Sequence, residues 1–183
     1  MNRLILFLPL VVLAFVFYAC HESIENDFTL IGNNPLAGQT AINAAESQLN
    51  VVQLVNSSKE QTTFAKAIKA AELVDVLSDD GPFTLFVPVN AAFDKLPAGT
   101  VSNLLQLENK TKLQELLHYH VTNSSLNLNF FKDGQRIGML NGVNIEVHLK
   151  NNKVYINDAQ IIASIPAVNG IVHVIDGVLI PSK

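Results

Sequence analysis

The stretch from Asn169 to Pro181 constrains the fold more than any other part of the chain. Ile171, Val172, Val174 and Ile175 are all β-branched, with only His173 among them. A run that is apolar at nearly every position belongs to a strand covered on both faces, because a half-exposed strand alternates. Asn169-Gly170 before the run is the positive-φ pair that a tight hairpin turn prefers, and Asp176-Gly177 after it is a second break. Val178-Leu179-Ile180 then reads as a last short strand, closed by Pro181, which lacks the N–H a central strand needs. A chain built around such a segment needs a sheet with material packed on both sides.

Upstream, helical spacing comes first. Thr40 is placed to cap a helix with Ile42, Ala45, Leu49 and Val52 on one face, and Thr62 to cap another with Phe64, Ile68 and Ala71. Ser78 to Pro82 is a turn that feeds a strand over Phe83–Val87. Asn90 is expected to cap a short helix carrying Phe93 and Leu96, and Thr100 one carrying Val101, Leu104 and Leu105. Leu113, Leu116 and Leu117 form a further stripe. From Val121 the period changes to two: Val143, Ile145, Val147 and Leu149 alternate with polar residues, and Asn151-Asn152 turns that strand back into Lys153–Asn157. Helices followed by strands predict an α+β fold.

The amino terminus carries a different signal. Met1-Asn2-Arg3 is followed by an apolar stretch from Leu4 to Tyr18, shorter than the roughly 20 residues a membrane-spanning helix needs and typical of a signal-peptide core. The single cysteine, Cys20, stands at its end. The arrangement resembles a bacterial lipoprotein signal, with Phe17 and Tyr18 standing where that motif usually has Leu and a small residue. It implies cleavage after residue 19 and a lipid on Cys20, the membrane partner of the mature protein. Residues 20–40 then form a tether, whose acids Glu22, Glu25 and Asp27 resemble the export tags of some Bacteroidetes lipoproteins. The expectation is a lipid-anchored protein of the cell envelope, at the outer membrane, facing either the periplasm or the exterior.

Three motifs in order resemble the fasciclin (FAS1) family. They are Gly81-Pro82-Phe83-Thr84-Leu85-Phe86-Val87-Pro88-Val89-Asn90-Ala91-Ala92-Phe93, the segment Leu116-Leu117-His118-Tyr119-His120-Val121, and the closing stretch from Asn169. The resemblance implies one FAS1 domain over residues 41–183, a wedge-shaped β-sandwich flanked by several short helices. It marks Phe83, Pro88, Asn90, Phe93, Tyr119, His120, Asn169, Gly170, His173 and Asp176 as the residues of the structural motif. It also implies an extracellular adhesion or matrix-interaction role without catalysis, toward a protein or glycan ligand.

Chemistry that would point elsewhere is missing from the sequence. A formal charge of −4 argues against a nucleic-acid partner. No nucleophile elbow and no phosphate-cradling glycine loop occurs. With Cys20 lipidated, no thiol remains for redox work. His118-Tyr119-His120 has the spacing of a metal site on a strand, but His120 is expected to be a buried histidine bonded to backbone, and His173 likewise; no metal or cofactor is expected. In animal members of the family, integrin contact is attributed to an Asp-Ile pair and to the Tyr-His segment. Here Ser164-Ile165 replaces the pair, so the acid is absent. Candidate partner contacts are Phe130, Phe131 and Tyr119.

Overall fold

The computed structural model describes residues 48–181. Cys20, the tether and Thr40, Ile42 and Ala45 lie outside the described residues. The first described helix, α1 (Val51–Ser57), starts with a capping box of its own: Asn50 Oδ1 accepts from Gln53 N at 2.8 Å and Gln53 Oε1 from Asn50 N at 2.9 Å. Leu49 therefore precedes a cap instead of lying inside a helix. There follow α2 (Thr62–Ala70), α3 (Val74–Ser78), β1 (Phe83–Pro88), α4 (Asn90–Asp94), α5 (Thr100–Leu104), α6 (Lys110–His118), β2 (Val121–Thr122), β3 (Arg136–Gly138), β4 (Asn144–Lys150), β5 (Lys153–Ile156), β6 (Ala159–Ala167) and β7 (Gly170–Ile175).

The strands form one seven-stranded sheet in the order β2-β1-β7-β6-β5-β4-β3, in which only β1 and β7 run parallel. The sheet curls until its two edges nearly meet. Leu140 N donates to Val121 O at 2.9 Å, and Thr122 Oγ1 donates to Gly138 O at 2.9 Å, joining the end of β3 to β2. Closure leaves two cores. Leu85, Val87, Val172 and Val174 meet α1, α2, α3 and α6 on the outside of the sheet. Phe86, Ile145, Val147, Ile156, Ile161 and Ile175 fill its inside. The nearly continuous apolar run of β7 has this cause: its alternate residues serve different cores, so both faces of the strand are covered. The α+β class holds, with the expected sandwich realised as one nearly closed sheet.

Several local expectations are corrected by long-range bonds. Asn90 does not cap its own helix; its Oδ1 accepts from Thr63 N at 3.0 Å and its Nδ2 donates to Lys59 O at 3.0 Å, so it caps α2 from the far end of β1. Thr62 is the first residue of α2 and donates its hydroxyl to Asn90 Oδ1 at 3.3 Å, and Thr100 is the first residue of α5, preceded by Gly99 at φ 83°. Neither is a cap. Asn90→Ala is expected to cost about 1–2 kcal/mol, read as a lower urea midpoint, by stripping the Thr63 N–H of its acceptor.

Asn151 and Asn152 do make the expected tight turn, at φ 50° and 59°. The turn before β7 differs from expectation: the closing pair is Ala167 with Gly170, so the turn residues are Val168 and Asn169. Gly170 is needed for proximity, because a Cβ there would overlap the backbone carbonyl of Phe83 on β1. Beyond β7 no last strand forms; Val178–Ile180 runs on without a sheet partner, held instead by a histidine.

Candidate interaction face

The Tyr-His segment lies at the end of α6, not on a strand. His118 is the last residue of that helix, and Tyr119 and His120 turn the chain into β2. His120 is 1% exposed. Its Nδ1 lies 2.8 Å from Leu116 O, and Leu179 N donates to its Nε2 at 3.0 Å. Since a carbonyl accepts only and an amide N–H donates only, the ring is neutral with its proton on Nδ1. Burial among Phe64, Leu113 and Leu117 pushes its pKa down to about 4, against a smaller upward pull from the Leu116 carbonyl.

His173 carries the opposite tautomer. Its Nε2 donates to Leu126 O at 2.7 Å, and its Nδ1 accepts from Ser164 Oγ at 2.6 Å. It stacks on Phe86 at 5.5 Å and abuts Phe131 at 5.3 Å, and burial again pushes its pKa to about 4. Ser164, at the position aligned with the animal acid, is thus committed inward to His173. Neighbouring Thr84 joins the same work, donating to Ser124 O at 2.6 Å and accepting from Leu126 N at 2.9 Å. Together they bind the Ser124–Leu126 segment to the inside of the sheet.

The remaining motif residues are joints. Asn169, 6% exposed, accepts from Val51 N at 2.9 Å and donates to Leu77 O at 3.0 Å and Asp79 O at 2.7 Å, while its own carbonyl takes Phe83 N at 2.9 Å. Asp176 Oδ1 accepts from Gln160 N at 2.7 Å, and its carbonyl accepts from Lys95 Nζ at 2.8 Å. Pro88 pairs with Ile175 at the end of β1, and Phe93 packs half-buried on the helical core.

Two of the three partner-contact candidates are corrected. Phe131 is 6% exposed because its ring closes over Phe86 and His173. Tyr119 is 2% exposed; its hydroxyl donates to Asn144 O at 3.3 Å and accepts from Asn157 Nδ2 at 3.2 Å. Phe130 alone of the three is open, at 59%.

The concave surface lies elsewhere, around the segment after β7. Ile180, 61% exposed, stands between two hollows of about 460 Å³ each. One is polar, with Arg136, Asn144, Glu146, Asn157 and Asp158 on its walls and the Tyr119 hydroxyl at its floor. The other is apolar, formed by Leu96, Leu104, Leu116, Val143, Val178 and Pro181, with Lys112 and Glu115 among its lining. Of this face sequence reasoning reached only Tyr119, because its walls come from six separate segments of the chain. Among the described residues no cluster of His, Cys, Asp and Glu has the grouping needed to hold a metal ion.

The fasciclin domain model matches residues 59–181, which spans all three motifs and both hollows. The chain belongs to the fasciclin family. It is 41% identical over 139 residues to protein sll1483 of Synechocystis sp., covering 75% of this chain and 77% of that one. It is 32% identical over 136 residues to the transforming growth factor-beta-induced protein ig-h3 of Sus scrofa, and 28% identical over 136 residues to human periostin. Those matches take in 73% of this chain but only 20% and 16% of the two animal proteins. Among solved structures, the FAS1 domain pair of the insect cell adhesion molecule Fasciclin I superposes with a TM-score of 0.64 at 18% identity, over 73% of this chain and 51% of that one. The fold is therefore the fasciclin fold. Fasciclin domains occur in adhesion proteins, and a general role in adhesion or interaction follows from membership.

Proposed function

We propose that this fasciclin domain is a non-enzymatic adhesion or interaction module of the cell envelope, anchored to the outer membrane through lipid on Cys20. The observation that carries the interaction reading is the concave pole around Ile180, on a domain whose buried histidines are both consumed by backbone and hydroxyl bonds. Neither imidazole is left to serve as an acid, a base or a ligand.

A single domain binds weakly and gains from many copies on a surface. The test is a binding screen of the full chain on vesicles, at high surface density, against whole cells, matrix proteins and glycans. Saturable capture of cells or matrix proteins is expected. Capture of glycans alone would replace this function with polysaccharide binding, which the polar hollow would serve; no capture of any kind would leave a structural envelope role. Fractionation of cells carrying Cys20→Ser checks the anchor: the wild type is expected in the membrane fraction through its lipid, and unchanged incorporation of labelled palmitate into the variant would remove Cys20 as the site.

A further inference from the structure

We propose that the Ile180 pole receives an extended peptide segment of a partner protein, one that places an apolar side chain in the groove and a lysine or arginine in the polar hollow. The inference rests on the interaction-module function above and names its partner chemistry. The two hollows share one wall, Ile180, so a ligand lying across that side chain meets both. Alternate residues of an extended chain point to the same side and lie about 7 Å apart, so one peptide can straddle a single side chain with a residue on each side of it.

Charge selects the basic residue. The polar hollow holds two carboxylates, Glu146 and Asp158, against one guanidinium, Arg136. Arg136 leans toward Glu146, 4.0 Å away, and Asp158 has no ion pair among the described residues. An incoming cation balances the site, whereas an incoming acid would add a third negative charge to it. The floor is already organised. The Tyr119 hydroxyl and the Asn157 amide bond each other, and Asn157 Oδ1 takes Glu146 N at 2.9 Å, so little ordering remains to oppose binding.

The apolar half selects a peptide over a sugar. Leu96, Leu104, Leu116, Val143, Val178 and Pro181 present aliphatic surface, and of the aromatic residues only Tyr119 lines either hollow, with its ring buried. A sugar face lacks the aromatic platform it would stack on, while a peptide with one apolar and one basic side chain fills both halves.

The probes are end-capped peptides randomised around a fixed Leu-Thr-Lys centre, with Leu-Thr-Glu and Ser-Thr-Lys centres beside them, titrated by fluorescence polarisation against the full chain in detergent. Only the Leu-Thr-Lys pool is expected to saturate. Ile180→Ser should weaken it about tenfold, the loss of one partly buried aliphatic contact. Asp158→Lys should weaken it about fivefold and bring in the Leu-Thr-Glu pool. Both residues are exposed, so unchanged melting temperatures are expected and serve as the fold control. Equal binding of all pools, no binding, or indifference to both substitutions overturns the assignment, as does a glycan that displaces nothing apolar yet is lost in Asp158→Lys. The same variants in the vesicle screen separate the two levels. Cell or matrix capture that survives both substitutions rejects this surface and keeps the module; absence of capture by the wild type rejects the module itself.

Discussion

Acidification from pH 6.5 to 4 is expected to destabilise the domain by about 3 kcal/mol for each of its two buried histidines, at about 1.4 kcal/mol for every pH unit that separates the folded pKa from the solvated one. Both rings have folded pKa values of about 4 against 6.5 when solvated, so the unfolded chain binds more protons throughout that interval. Stability contributed by the neutral rings is complete above pH 6.5 and is lost as pH falls through 4. The structure gives the reason for each. Protonated His120 would point an N–H at the N–H of Leu179, and protonated His173 would lose its capacity to accept from Ser164. Urea midpoints followed from pH 7.5 to 4 in the wild type and in His120→Asn/His173→Gln measure the effect. Asn and Gln each retain one donor at the position of the native N–H. The wild type is expected to lose stability more steeply than the variant, and equal slopes would remove the histidines as the cause.

The second large effect is at the joint between β1 and β7. Asn169→Ala leaves the buried Val51 N and Leu77 O without their partner, at about 1–3 kcal/mol each, and also frees the half-buried bond to Asp79 O, so it is expected to cost about 3–5 kcal/mol after relaxation. That is a large part of the roughly 5–15 kcal/mol typical of a folded domain. Gly170→Ala is expected to be of similar severity for a different reason, since its methyl group would occupy the Phe83 carbonyl and force the parallel pair apart. Gly134→Ala is the comparison. Its φ is also positive, at 72°, but nothing lies near the added carbon, so the cost should be only the left-handed penalty of about 1–2 kcal/mol. Denaturant titration of the three variants checks the order; a Gly134→Ala variant as weak as Gly170→Ala would show that backbone angle, not proximity, governs both.

Two asparagines illustrate why part of this architecture is illegible in the sequence. Asn90 reads as a local cap because asparagine before a short apolar helix commonly is one, yet it serves a helix whose bonded N–H lies 27 residues upstream. Asn169 reads as a turn residue, and it also tethers the start of α1, 118 residues away. A side chain with both a donor and an acceptor satisfies whatever backbone ends the fold brings to it, and chain distance carries no trace of that choice. Phe130 and Phe131 make the same point for the surface. Adjacent and identical in composition, they part company because only Phe131 meets the ring of His173 inside the sheet.

Local physics determined much of this protein from the sequence alone. The β-branched run interrupted only by His173 required a strand covered on both faces, the alternation over 143–149 with Asn151-Asn152 required the β4–β5 hairpin, and helical spacing before strands required the α+β class. These features depend on side-chain period and turn chemistry, which act within a few residues. Tertiary structure decided the rest. It set which ends Asn90 and Asn169 satisfy, which tautomer each histidine carries, and why Gly170 has no side chain. It also decided that Ile180, which reads as part of a strand, stands instead between two hollows. Each of these depends on groups distant in sequence meeting at hydrogen-bond or van der Waals range, and closure of the sheet around one core, with the helices packed over the other, is what brings them there.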